Sequence, residues 1–409
     1  MGATLSIRER DIFAKFLLLW CKTVLVGCIG GDIEMRVWLV SIAVSALLLG
    51  SVLAQTKTTN VYSETTAGKL SPAVAGALPR VYVPHVKSGD VYVIDPATFQ
   101  VVDKFTVGGN PQHIIPSWDM KTLWVAGSAE RKLSGMVIPI DPKTAKPGAI
   151  IKVEDAYNMY FTPDGSSAIV VAEALKRLEF RDPHTMKLQY NIPTPECTGV
   201  NHADFSIDGS FAIFTCEFGG GKLAKIDLVQ RKVTGYLKLA QANDPAPHNM
   251  PQDIRSSPDG SVFFVADMEA DGVHIIDAAS FKLIGFIPTG RGAHGLYPSR
   301  DGKKLYVTNR GTHMGETKPK GMGSISVIDF ATRKVETNWP IPGGGSPDMG
   351  NVSADGKYLW VSGRFDKCVY AIDTTTGAVK TIPVGTEPHG LTVWPQPGRY
   401  SLGHTGVFR

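Results

Sequence analysis

The chain reads as an all-β protein, a seven-bladed β-propeller of four-stranded blades, and three features of the sequence predict this. Seven short apolar runs each close on an acidic residue: Val91 to Asp95, Val137 to Asp141, Leu178 to Asp182, Leu223 to Asp227, Val273 to Asp277, Ile325 to Asp329 and Val369 to Asp373. They recur every 41 to 52 residues, which is the size of one blade. Asp-Gly pairs beginning at Asp164, Asp208, Asp259, Asp301 and Asp355 mark a tight turn between the first two strands of a unit, where positive φ must be tolerated. The two ends of the array are also complementary. The first unit, from Arg80, lacks an opening strand, while Pro388 to Trp394 supplies a first strand alone. Joining them closes the ring and leaves no lone edge strand. A β-helix or a sandwich is the alternative architecture.

The N-terminal part is of another kind. Met35-Arg36 is followed by the apolar stretch Val37 to Leu49 and then Gly50-Ser51-Val52-Leu53-Ala54, the layout of a secretory signal. That core is too short to span a membrane comfortably, and no Cys stands at the cleavage site to take a lipid. The expectation is translation from Met35, cleavage after Ala54, and an upstream extension before Met35 in the segment 1–54. Residues 55–79, rich in Thr, Ser, Ala and Gly, read as a flexible leader, and 80–409 as the propeller. The protein is therefore expected to be exported, to the periplasm or beyond the cell, with no stable membrane span in the mature chain.

Within the array, the unit from Leu296 to Pro342 shows the plan: a first strand, Asp301-Gly302, a second strand Leu305 to Asn309, a loop, a third strand Ser324 to Asp329, and a fourth from Val335 to Ile341. Val, Ile, Tyr and Phe alternate with polar residues in the second and third strands, as half-buried strands require. Asp119-Met120 and Pro397-Gly398 stand where the other units have Asp-Gly.

Composition fits a large turn-rich β domain, with 43% hydrophobic residues, 43 Gly and 27 Pro. The net charge of +4 is small for 409 residues and does not argue for nucleic acid, which calls for a concentrated basic face; a patch assembled in three dimensions is the alternative. Cys21 and Cys28 fall in the part expected to be removed, so Cys197, Cys216 and Cys368 permit at most one disulfide. The hairpin centred on Asp208 sets Cys216 opposite about Asn201, and a Cys197 bridge requires a local shift. No CxxCH, HExxH, Walker loop or GxSxG elbow is present. The acids that end the third strands recur in every unit, which marks them as acceptors of turn hydrogen bonds.

Residues that break the repeat are more informative. First strands line the channel of a propeller, and theirs begin Pro111-Gln112-His113, Tyr157-Asn158, Asn201-His202, Pro251-Gln252-Asp253, Ala293-His294, Pro347-Asp348 and Pro388-His389. Four of the ten histidines stand at this level. Imidazole there can bind a metal, ligate haem iron or move protons, and His113, His202, Asp253, His294, Asp348 and His389 form the candidate metal set. A polar rim holding a small ligand and purely structural histidines are the other readings. Counted back from the turn, His294 and His389 lie one residue earlier than His113 and His202. Adjacent positions face opposite ways, so all four converge only if local bulges intervene. His248, Arg291, Arg310, the loop Gly311 to Gly323 with His313, Met314 and Met322, and the tail Gly403-His404-Thr405-Gly406 are placed to approach the same opening.

Tyr306-Val307-Thr308-Asn309, with its variants Leu123-Trp124-Val125-Ala126 and Leu359-Trp360-Val361-Ser362, and Ser326-Val327-Ile328-Asp329 with its relatives, resemble the YVTN-type propeller repeat over about residues 80 to 395. Within that superfamily the chain is similar to YncE-like exported propellers. It is more loosely similar to the propeller of cytochrome cd1 nitrite reductase and its relatives in d1 haem biogenesis, which hold haem at the propeller mouth through His with Arg nearby. The resemblance implies a channel-mouth site, with His113, His202, His294, His389 and Arg291 as cofactor-binding candidates. A haem-type tetrapyrrole or a transition metal is the cofactor it suggests. The absence of a CxxCH-bearing cytochrome c domain argues against self-sufficient nitrite reduction. The expected function is an exported binding protein, a monomer by ring closure, acting as carrier or accessory factor with a small ligand or a periplasmic redox protein as partner. The alternative is an interaction scaffold that uses its rim loops, and no catalytic constellation is legible.

Overall fold

The computed structural model describes residues 60–128, 134–239, 249–316 and 323–409. Its strands form seven antiparallel sheets arranged as blades. Blade 1 consists of Thr392–Trp394, Arg80–His85, Asp90–Asp95 and Gln100–Thr106, so the C-terminal strand does complete the first blade. Blades 2 to 7 follow in chain order, opening with the inner strands Pro111–Pro116, Ala156–Phe161, Val200–Phe205, Pro251–Ser256, Ala293–Pro298 and Pro347–Val352. In blade 2 the outermost position is shared by Lys146–Pro147 and Ile151–Val153.

Burial falls from the axis outward. Second strands such as Val262–Asp267 are buried at every position, because each is sandwiched between two neighbouring blades, whereas the outermost strand Lys334–Pro340 is almost wholly exposed. The core is correspondingly divided into inter-blade layers. Ile169, Val171 and Phe180 of blade 3 interleave with Phe205, Phe214 and Ile226 of blade 4. The repeated acids are turn acceptors, as the sequence implies: Asp182 takes the N–H of Thr185, Asp277 that of Ser280 and Asp329 that of Thr332.

What joins the blades at the axis is a belt of hydrogen bonds between successive inner strands. Tyr160 Oη accepts the Ala203 N–H at 3.0 Å, and Asp204 accepts Ser256 N–H at 2.8 Å. Asp253 accepts Leu296 N–H at 2.9 Å, Tyr297 Oη accepts Gly350 N–H at 2.8 Å, and Asn351 accepts Val393 N–H at 3.1 Å. Thr392 Oγ1 donates to the Ile114 carbonyl at 2.5 Å. The junction between blades 2 and 3 is made by the C-terminal tail instead. Ser401 Oγ donates to Pro116, and the Phe161 N–H donates to Leu402.

From there the tail enters the channel. Its helical turn His404–Gly406 touches the inner strands of blades 2, 3, 6 and 7, and Arg409 pairs with the buried Asp204 at 2.7 Å. Tyr400 and Arg409 share a surface cavity with Asp164 and Asp208, so the tail comes in through the mouth that carries the Asp-Gly turns.

One expectation is revised and one open question is decided. Within the segment read as a flexible leader, residues 60–79 are packed: Val61 and Tyr62 join the core around Phe264 and Phe330, the Tyr62 hydroxyl donates to Ser256 at 2.6 Å, and Leu70 bridges Pro397. A few apolar anchors in a Ser/Thr/Ala-rich stretch are enough to bind it down. Cys197 and Cys216 form a disulfide, their Cα atoms 4.9 Å apart. A register shift between Val200 and Ala203 places Cys216 opposite Val200, and the turn from Thr194 folds Cys197 back onto it. Cys368 is free and buried. The proposed start at Met35, the cleavage after Ala54, His248 and Met322 lie outside the described residues.

Arg409→Ala removes from the fully buried Asp204 carboxylate its ion-pair partner at 2.7 Å. Loss of one partner from such a pair is expected to cost about 3 kcal/mol, read as a lower urea midpoint with an unchanged slope. An unchanged midpoint would show that the tail does not hold the ring.

Candidate functional site

The histidines of the inner strands do converge, because the strands are bulged where they enter the channel. Register shifts fall between Pro111 and His113, Val200 and Ala203, Pro251 and Ile254, Ala293 and Leu296, and Pro347 and Gly350. Each bulge turns neighbouring positions toward the same space. The His113 ring lies 4.6 Å from that of His389 and 5.7 Å from that of His202, centroid to centroid. His404, from the tail, stacks into the same group at 4.0 Å from His113 and 5.1 Å from His202. Gly390 makes the packing feasible, since a Cβ there would collide with the His113 ring.

Asp348 is the charged centre. Its carboxylate lies 2.8 Å from His389 Nδ1, 3.1 Å from His294 Nδ1, 3.5 Å from Arg310 Nε and 3.8 Å from Arg364 Nη1. Burial alone pushes this carboxyl up, but Arg310, then His294 and Arg364, hold it below the usual carboxylate range. Burial dominates the histidines. It drives His113, His294, His389 and His404 well below the ordinary imidazole value and His202 to about 3, and Asp348, which opposes it at His113, His202 and His294, does not offset it. All five are neutral at physiological pH.

Above this layer the channel opens into a cavity of about 450 Å³, lined by Gln112, Asp155, Tyr157, Glu173, Glu217 and Arg364 among others. The lining includes no histidine. Asp155 accepts the N–H groups of Ala174 and Leu175 and so fixes the turn that carries Glu173. Its own carboxyl is raised to about 6 by burial. Glu217 accepts from Asn201 Nδ2 at 3.1 Å and Gln252 Nε2 at 3.2 Å. Burial raises both Glu173 and Glu217, and the repulsion of Glu217 raises Glu173 further. The Tyr157 ring stands edge-on to His113, 5.2 Å away, and separates the cavity from the histidines.

Two of the candidates do not join this centre. Asp253 is part of the inter-blade belt and pairs with Arg255 at 3.0 Å. Arg291 pairs with Glu316 at 3.3 Å and lies 3.1 Å from His313 Nδ1, where Asp271 and Glu269 also meet the imidazole. That network fastens the start of the loop Gly311 to Gly323 rather than the channel. The arginines that stand at Asp348 are Arg310 and Arg364. Of these two, Arg310 was legible as a candidate, while Arg364 follows a second strand with no mark in its neighbourhood. Among the described residues no three His, Cys, Asp or Glu side chains are disposed to hold a metal ion. The histidines also offer no axial position to a macrocycle in the cavity. Their orphan nitrogens, both of His113 and Nε2 of His202, are buried between rings.

Fold and site together define a closed propeller with a polar, histidine-floored channel that opens into a charged cavity. The chain belongs to the YncE-like β-propeller family, whose model matches residues 35–397. It is 24% identical over 298 residues to the uncharacterized protein YncE of Salmonella typhi, covering 68% of this chain and 75% of that one. Among solved structures it is similar to Kuenenia stuttgartiensis hydrazine synthase (17% identity, TM-score 0.55, covering 76% of this chain and 94% of that one). It is also similar to the dihydro-heme d1 dehydrogenase NirN, solved in complex with DHE (16% identity, TM-score 0.53, covering 77% and 75%). These likenesses bear on the fold alone.

The neutral histidines make a pH prediction. Each has its folded value below its unfolded one, so the unfolded chain takes up protons first and stability is lost as pH falls from about 6.5. Asp155 acts oppositely, since its raised carboxyl favours the folded state below about 6. His202→Gln removes one term of the first kind. Urea unfolding of this variant between pH 7 and 4 is expected to show about one proton fewer taken up than the parent chain. Identical proton uptake would mean that His202 is not buried neutral.

Proposed function

We propose that this protein is an exported binding protein that holds a small polar ligand in the cavity at the channel mouth and serves as carrier or accessory factor in a redox system of its compartment. The observation that carries this reading is the cavity itself, with Arg364 lining it and facing Asp348 at 3.8 Å. One side chain thus connects the ligand space to the buried charge centre. Small-molecule sites are concave and fix their ligand with a few placed polar groups, and this cavity presents such groups in Gln112, Tyr157, Glu173, Glu217 and Arg364. Export is supported by the signal-like sequence before Gln55 and by the Cys197–Cys216 disulfide, which suits an oxidising compartment.

The likeness to NirN suggests a second reading, a tetrapyrrole in the same mouth. The residues present do not fit it, because the histidines lie below the cavity lining and pack against one another. The scaffold reading places the function in the rim loops and leaves the cavity without a ligand.

Native mass spectrometry and absorption spectroscopy of the chain purified from its exported compartment separate these readings. We expect a colourless protein carrying a small molecule that is released on denaturation, with occupancy cut about tenfold by Arg364→Ala, as for loss of a charged hydrogen bond. A Soret band would install the tetrapyrrole in its place. A chain that carries nothing and is indifferent to Arg364→Ala would overturn the binding reading in favour of the scaffold.

A further inference from the structure

The polar groups of the mouth cavity are sorted by kind. On one wall stand acceptors. Glu173 and Glu217 line the cavity, and among the described residues neither takes part in an ion pair with a Lys or Arg. Beside them Asn201, fully buried, spends its amide N–H on Glu217 and leaves Oδ1 with no partner. Lys176 also lines the cavity, so three acceptor groups are gathered beside one ammonium that forms no ion pair with either glutamate. On the other side Arg364 has Nε and Nη1 without hydrogen-bond acceptors, and its nearest carboxylates, Asp348 and Glu387, stand off at 3.8 and 3.9 Å. Tyr157 and Phe218 supply aromatic surface between them.

Unmet acceptors and unmet donors in one enclosed space are costly unless something satisfies both. Direct pairing of Arg364 with the two glutamates would do so, yet no such ion pair forms. The remedy is a molecule that carries N–H donors at one end and a carboxylate at the other. An ammonium suits paired carboxylates, and a planar carboxylate suits a guanidinium.

We propose that the cavity binds a small zwitterion of amino-acid type, its ammonium group toward Glu173, Glu217 and Asn201 and its carboxylate toward Arg364. This rests on the binding reading above and names its ligand class. The site differs from the histidine layer beneath it and uses none of the histidines. Because the ammonium is held by carboxylates, its binding weakens as the acids take up protons and strengthens as they ionise.

Isothermal titration of the full mature chain with four probes tests this: L-alanine and L-lysine as zwitterions, putrescine as a dication without a carboxylate, and citrate as an anion. We expect L-alanine or L-lysine to bind and citrate not to. Glu217→Gln is expected to weaken the zwitterion about tenfold or more. Glu173→Gln, on a more exposed turn, should do likewise and guards against a folding defect in the first variant. Arg364→Ala is expected to weaken the zwitterion by a similar factor and leave any binding of putrescine unchanged. Citrate binding that is lost in Arg364→Ala would overturn the zwitterion while leaving a ligand site at the mouth. The same follows if a small molecule co-purifies with the chain but none of the amino acids binds. If no probe binds and nothing co-purifies, the binding reading falls with the zwitterion.

Discussion

Each blade of this propeller ends at the axis in a strand whose inner edge has no partner within its own sheet, and the molecule depends on how those seven edges are satisfied. Backbone groups buried there must be paired. They are paired by side chains reaching from one blade to the next: Tyr160, Asp204, Asp253, Tyr297 and Asn351 each accept an N–H from the following inner strand. Each such bond is worth only about 1 kcal/mol, but the ring makes them interdependent, since an error at one junction must be absorbed by the others. At the junction of blades 2 and 3 the C-terminal tail supplies the contact. The closing strand and the tail are thus two parts of one device.

The chemistry of the channel follows from that closure. Because the tail occupies the axis from the mouth with the Asp-Gly turns, water is excluded from the level of His113 and His202, and burial rather than local charge sets the state of the imidazoles. Asp348 escapes the same fate only because Arg310, His294 and Arg364 surround it. A group of neutral histidines over one stabilised carboxylate is a rigid floor. Above it Glu173, Glu217 and Arg364 line the cavity.

Much of this site was visible as a row of strand starts. His113, His202, His294, Asp348 and His389 all come to the axis, and the requirement for bulges was itself deducible from the mismatch in their positions. Other members left little trace. Glu173 and Glu217 each directly follow the second strand of their blade, a position where an acid is ordinarily solvated. Arg310 and Arg364 hold equivalent places, each directly after the second strand of its blade, whereas Arg291 precedes a first strand and pairs with Glu316. His404 stands in a tail of small and polar residues, and its place against His113 depends on a chain path that no periodicity encodes.

By itself the sequence determined the number of blades, their strand order and the manner of closure, because strand period, turn chemistry and repeat length are local properties written into every unit. It also determined which residues begin the channel strands. The tertiary structure alone decided which of those residues share a space, since a one-residue bulge reverses the direction of a side chain. It likewise decided the Cys197–Cys216 pairing, the anchoring of residues 60–79 and the choice of Arg310 and Arg364 as partners of Asp348. Contacts of that kind join residues far apart in the chain through burial and charge, and neither quantity exists until the ring has closed.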